Sequence, residues 1–177
     1  MNLIINTFWL FLPAAAANMA PVLFNRLPFL DIPVDFNKQF RGKPLFGPHK
    51  TYRGFFVGLI LAILIVYLQR LAYPWPHGHT LVDYSTINFW LLGFLMAVGA
   101  LGGDLVKSFF KRRLNMPSGW VWAPFDQIDW VVGAILLSWI IVPIHLSNAV
   151  VAIIMFGALH PIANIVGYLI KLKPNKF

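Results

Sequence analysis

Residues 104–129 read Asp104-Leu105-Val106-Lys107-Ser108-Phe109-Phe110-Lys111-Arg112-Arg113, run on through Asn115, Pro117, Ser118 and Gly119, and close on Pro124-Phe125-Asp126-Gln127-Ile128-Asp129. Three of the chain's six acids and four of its fourteen bases lie in this stretch. The segments on either side carry almost no charge. A chain that is 59% hydrophobic and 11% charged has the composition of an integral membrane protein, not of a soluble domain. Charges gathered between two apolar segments then mark a polar site at a membrane face.

Working outward from this stretch, five apolar segments predict an all-α membrane protein with five transmembrane helices, forming one membrane-embedded unit over residues 1–177. The spans are Leu3–Phe24, Gly54–Tyr73, Phe89–Val106, Trp130–Ile144 (the shortest) and Ala149–Ile170. About 20 apolar residues cross the hydrocarbon core. The first span contains Pro13 and Pro21. No Lys or Arg precedes Arg26, so it lacks the basic n-region of a secretory signal and reads as a retained helix. Trp90 is placed as an interfacial anchor.

The loop from Arg26 to Arg53 holds six bases against Asp31 and Asp35, and its prolines and glycines predict irregular structure. The loop from Pro74 to Asn88 has no base. The tail carries Lys171, Lys173 and Lys176. Cytoplasmic loops are enriched in Lys and Arg, so the expected orientation has the N-terminus outside, the C-terminus in the cytoplasm and both charged loops inside. Arg70 is the exception, near the outer end of the second span, where it can snorkel to the headgroups. The net charge of +8 is therefore largely topological and does not call for nucleic acid. There are no cysteines, so disulfides and thiolate metal sites are excluded.

Asp126 and Asp129 are three apart and share a helix face if the helix already includes them. Together with Asp104 they form a hard-oxygen set suited to Mg²⁺. The competing explanation is acids favoured at a helix N-terminus by the macrodipole. Three aspartates around one loop favour the metal. Asp104, Lys107, Ser108, Lys111 and Arg112 fall on one helical face, and cations beside a carboxylate suit a metal–phosphate complex. A stop-transfer cluster would need only the bases. Gly102-Gly103 permits close backbone approach by a ligand or a helix.

Gly47-Pro48-His49-Lys50-Thr51-Tyr52-Arg53-Gly54 opens the second span from the same side, and a helix N-terminus with Lys50, Thr51 and Arg53 offers phosphate donors. It lacks Walker spacing. His160 and Asn164 are assigned to packing within the fifth span, and His77 and His79 to a solvated loop. A transporter would carry charges near mid-bilayer in several spans, and a scaffold for anionic lipid would need the bases without the aspartates.

Taken in order, several of these residues resemble a known family, the CDP-archaeol synthases, distant relatives of the bacterial CDP-diacylglycerol synthases. The resemblance covers nearly the whole chain. It rests on Ala17-Asn18 with Pro21, on Pro33-Val-Asp35-Phe, on Gly47 with Lys50-Thr51-Tyr52-Arg53-Gly54-Phe55, and on Gly103-Asp104 with Lys107-Ser108-Phe109 and Lys111-Arg112. It continues through Asp126-Gln127-Ile128-Asp129 and His160 with Asn164. It implies a five-helix membrane enzyme that uses CTP and Mg²⁺ to convert a glycerol-phosphate lipid into CDP-lipid and pyrophosphate.

On that reading Asp104, Lys107, Lys111, Arg112, Asp126 and Asp129 are catalytic, with the three aspartates as metal ligands. Lys50, Thr51, Arg53, Ser108 and Gln127 bind CTP or phosphate. The partners are CTP, a lipid phosphate and the bilayer, with a homodimer left open. The chain lacks the Lys-Asp and His-Gly-Gly elements of the bacterial relatives and has Gln127 where they carry Arg. These departures favour the archaeal-type branch over phosphatidate as substrate.

Overall fold

The computed structural model describes residues 3–73, 80–117 and 120–169. Five helices follow one another: α1 (Leu3–Leu23), α2 (Tyr52–Ala72), α3 (Phe89–Arg113), α4 (Phe125–Ser138) and α5 (Leu146–Leu169). All except α4 are long and apolar enough to cross a membrane. The Pro74–His79 and Ser118–Gly119 segments and the lysines of the tail lie outside the described residues.

The fourth helix departs from the expected span at both ends. It starts at Phe125, so Asp126 and Asp129 are inside the helix, and it ends at Ser138 after 14 residues. At 1.5 Å per residue that is about 21 Å, short of a full crossing. The Ser138 hydroxyl donates back to the Ala134 carbonyl at 2.6 Å, turns occupy 139–141, and Pro143 supplies no amide for a further turn. Val142 and Ile144 join the core beside Val82 and Tyr84, which lie just before the start of α3.

The loop between α1 and α2 also departs from the all-α expectation. It contains an antiparallel pair, β1 (Gln39–Phe40) and β2 (Lys43–Pro44), turned through Arg41 and Gly42 at positive φ.

The core is built from Leu10, Phe11 and Ala14 of α1, Val66 of α2, Leu92, Met96 and Ala100 of α3, Trp130, Val131 and Ala134 of α4, and Phe156 of α5. The most extensive helix pair is α3 with α4, and glycine explains it. Gly99 and Gly103 are four apart on one face of α3, and Gly133 faces them from α4. A Cβ at Gly103 would overlap the Asp129 carbonyl, one at Gly133 the Gly99 carbonyl, and one at Gly99 would lie 2.5 Å from the Gly133 oxygen. Small residues four apart let membrane helices approach backbone to backbone.

The helix α5 packs on α1 and α4 and leaves most of its surface outward. A buried hydrogen bond from Asn148 Nδ2 to Thr7 Oγ1, 3.0 Å, ties it to α1. His160 and Asn164 lie half-buried further along α5, and neither is without a partner.

Candidate active site

The glycine seam delivers the charged residues. One helical turn past Gly103, Lys107 reaches across to α4, whose first two turns carry Asp126 and Asp129. Its ammonium stands 3.0 Å from Asp104 Oδ1, 2.9 Å from Asp126 Oδ1 and 2.9 Å from Asp129 Oδ2. Lys50 pairs with the other oxygen of Asp104. Lys111 lies 3.2 and 3.1 Å from the two oxygens of Asp126 and donates to the Trp120 carbonyl. The Trp122 amide donates to Asp126 Oδ2 at 2.5 Å.

Three aspartates and three lysines thus form one cluster of balanced formal charge, largely shielded from solvent. An unmatched ion in such surroundings would cost several kcal/mol. The balance explains how a mostly apolar bundle holds six charges in one place.

Lys50 comes from the first loop, which Asp35 organises. This buried carboxylate accepts the Asn37 amide at 2.9 Å, Phe46 at 3.0 Å and Gly47 at 3.3 Å. The Lys50 carbonyl accepts the Val34 amide at 2.7 Å, and Tyr52 donates to the Ile32 carbonyl at 2.9 Å. The β1–β2 hairpin is pinned to the end of α3. Arg113 donates to the carbonyls of Phe40, Lys43 and Pro44 and lies over the rings of Phe40 and Phe109, while Lys43 Nζ donates to the Arg113 carbonyl at 2.8 Å. Neither Asp35 nor Arg113 is among the site residues expected from sequence. The available signals were the aspartate at the head of a turn-rich stretch and an arginine at a helix C-terminus facing carbonyls.

Several candidate residues are engaged elsewhere. Arg53 is buried and donates to the Leu27 carbonyl at 2.6 Å and to Asp31 at 2.8 Å, bracing the start of the loop. The Thr51 hydroxyl caps α2 by accepting the Gly54 amide at 3.3 Å. Arg112 donates to the Pro117 carbonyl at 3.3 Å. Ser108 is buried on α3. Gln127 stands between the two α4 aspartates in sequence, with a buried Oε1 that accepts no hydrogen bond.

Among the described residues no three carboxylate or imidazole groups are gathered to the spacing a metal ion needs. The oxygens surround an ammonium at 2.9–3.0 Å, whereas Mg²⁺ binds oxygen at about 2.0–2.1 Å. The donor chemistry does fit a hard cation. The Asp129 side chain is buried, and its Oδ2 lies 2.9 Å from the Lys107 ammonium. The condition is that Lys107 releases carboxylate oxygen to the ion.

Comparison with known proteins identifies the family. The family described as CarS-like, CDP-archaeol synthase, matches residues 1–177. The chain is 34% identical over 174 residues to a CDP-archaeol synthase of Pyrococcus abyssi, covering 98% of each chain. It is 37% identical over 169 residues to one from Methanoculleus marisnigri, covering 92% of this chain and 97% of the relative. A solved structure described as an intramembrane enzyme for archaeal membrane lipids biosynthesis superposes with a TM-score of 0.76 at 30% identity, covering 92% of this chain and 94% of that one. With a match along its whole length, this chain belongs to the CDP-archaeol synthase family.

Proposed function

We propose that the cluster of Lys50, Asp104, Lys107, Lys111, Asp126 and Asp129 is where CTP and a lipid phosphate meet, and that the chain is a CTP:lipid-phosphate cytidylyltransferase forming CDP-lipid and pyrophosphate. The observation that carries this reading is the Lys107 ammonium held by three aspartates from two helices, within a chain of this family. The substrate is an archaeal-type glycerol-phosphate ether lipid, by family membership.

The chemistry asks little of the protein in proton transfer. A phosphate monoester with a second pKa of about 6 is largely dianionic at pH 7. Its oxygen attacks the α-phosphorus of CTP, and the bond to the β-phosphate breaks to release pyrophosphate. No general base is required. What the site must do is hold two anions together in line. Lys50, Lys107 and Lys111 enter from the first loop and from α3, and their ammonium groups orient phosphate oxygens. Asp104, Asp126 and Asp129 are the residues that would hold Mg²⁺, which when bound supplies charge neutralisation for the reacting phosphates. The close α3–α4 seam keeps the aspartates on a rigid base.

The base-rich loops bearing the cluster face the cytoplasm on the positive-inside argument, with the N-terminus outside. CTP then arrives from the cytoplasm, and the lipid arrives laterally.

The test is incorporation of labelled CTP into lipid extracts by the purified protein. The arms are ether-linked and ester-linked glycerol phosphates, with and without Mg²⁺. We expect Mg²⁺-dependent CDP-lipid with the ether-linked substrate, and a loss of about 10²-fold or more in Asp129→Asn, on the scale of losing one preorganised electrostatic group. Wild-type protein that makes no CDP-lipid from any of these substrates would sink the reading. Near-normal turnover by Asp129→Asn would remove that aspartate from the site.

A further inference from the structure

The first loop is fastened to α3 at two points. One is inside the charged cluster, where Lys50 pairs with Asp104. The other lies outside it, about 14 Å further along α3 at 1.5 Å per residue, where Arg113 holds the β1–β2 hairpin. We propose that Arg113 is a positioning residue for the reaction, the anchor that keeps the loop and its Lys50 seated on α3 while the cluster exchanges its ion pairs for substrate. The proposal rests on the cytidylyl-transfer reading for what Lys50 does, but not for how the loop is held.

Substrate competes for one fastening and not for the other. A cation taken up by Asp104, or a phosphate taken up by Lys50, breaks the pair between them. A loop held by that pair alone would come free at the moment Lys50 is needed. The Arg113 contacts are made to backbone carbonyls, which neither reactant has reason to claim.

The outer fastening is reciprocal. The Arg113 guanidinium donates to the carbonyls of Phe40, Lys43 and Pro44, the second at 3.0 Å. A planar fork of donors can serve several acceptors presented together, which a single ammonium does less well. Lys43 Nζ returns a bond to the Arg113 carbonyl at 2.8 Å, satisfying one of the carbonyls left open at the end of α3. The guanidinium also lies 5.0 Å from the ring centre of Phe109 and 5.5 Å from that of Phe40.

The hairpin passes its position on to Lys50. Just after β2 the Leu45 amide donates to the Lys38 carbonyl at 3.1 Å, and the next two amides, Phe46 and Gly47, go to Asp35. The Lys50 amide donates to the Gly47 carbonyl at 3.3 Å. The chain from the clasp to Lys50 is thus tied down by backbone hydrogen bonds and one buried carboxylate.

Loop position can be read without any reaction. The sequence has no cysteine, so nitroxides at His49→Cys in the loop and Ile154→Cys on α5, both exposed, give one pulsed-EPR distance. The parent pair should give a narrow distribution. Asp104→Asn, which removes the charge facing Lys50, should leave it narrow, whereas Arg113→Gln should widen it by several ångströms. An Arg113→Gln distribution as narrow as the parent's overturns the proposal, and so does equal widening by Asp104→Asn. Should Arg113→Gln fail to fold, Lys43→Met, which removes the returned bond from the loop side, carries the same expected widening and the same refutation.

Activity supplies the second readout. Arg113→Gln should lower kcat/KM for CTP incorporation by about 10²-fold, the scale of a misplaced group, and should add no further loss in a Lys50→Ala background. Losses that multiply would make Arg113 act independently of Lys50 and would also overturn the proposal. A widened distribution with no CDP-lipid from the wild type would preserve the anchor and defeat the reaction. CDP-lipid formation with an unwidened distribution would do the reverse.

Discussion

Lys107 occupies the place around which the three aspartates converge, 2.9–3.0 Å from an oxygen of each. An ammonium there balances carboxylates that would otherwise repel one another, and a divalent cation could do the same. On the proposed metal reading the two compete. In Lys107→Met the carboxylates lose their central cation, and removing one partner from a buried ion pair costs about 3–5 kcal/mol. Thermal unfolding in detergent should show a lowered Tm that millimolar Mg²⁺ or Mn²⁺ substantially restores, while CTP incorporation stays low. A Tm that ignores both ions would separate the aspartates from metal binding.

The cluster itself was readable in the residues. The i, i+3 spacing of Asp126 and Asp129 and the shared face of Asp104, Lys107 and Lys111 carry through to the structure. The duties of the arginines were not readable. Arg53 and Arg112 lie in the same basic stretches as the lysines, yet Arg53 donates to Leu27 and Asp31, and Arg112 directs one guanidinium nitrogen to the Pro117 carbonyl. A planar fork of donors suits backbone carbonyls as well as phosphate, and spacing does not distinguish the two.

At the scale of elements, the site depends on how closely α3 and α4 approach. Two adjacent glycines allow a controlled comparison. A Cβ at Gly103 would overlap the Asp129 carbonyl, whereas one at Gly102 meets nothing within 4 Å. Gly102→Ala should therefore retain turnover within about twofold, the alanine being if anything the better helix former. Gly103→Ala must push α4 outward and carry Asp129 with it. A displacement near 1 Å in a positioned site costs about 10²-fold, so CTP incorporation should fall by that order while the protein still purifies as a folded species. Similar rates for the two variants would mean that the seam does not set the site's geometry.

The doublet was legible as a place of close approach, and the structure identifies Asp129 as what approaches. The early start of α4 was less legible, because Pro124-Phe125 precedes the apolar run and hydropathy alone places the boundary at Trp130. The hairpin was hidden for a different reason. Two residues per strand leave no periodicity to find, and its stability comes from Arg113, far along the chain.

At the scale of the whole molecule, the ends of the bundle are chemically unlike. The ion cluster, the first loop and the α3–α4 connection share one end. Thr7, Asn148 and the 80–88 segment lie toward the other, where Asn88 caps α3 through the Leu91 amide at 3.1 Å. If the basic end faces the cytoplasm, the opposite end must be reachable from outside. Lys38 and Thr86 are exposed at the two ends, and the absence of native cysteine allows a thiol at each to report its side.

In intact cells a membrane-impermeant maleimide should label Thr86→Cys readily and Lys38→Cys only after lysis. The reverse pattern would place the cluster outside, away from cytoplasmic CTP, and would defeat the proposed reaction in the cell even if the purified protein performed it. The short fourth helix makes this measurement more than a formality. Only the turns after Ser138 carry the chain on to Val142 and Ile144, so the sidedness of the far end depends on a crossing that is helical for only part of its length.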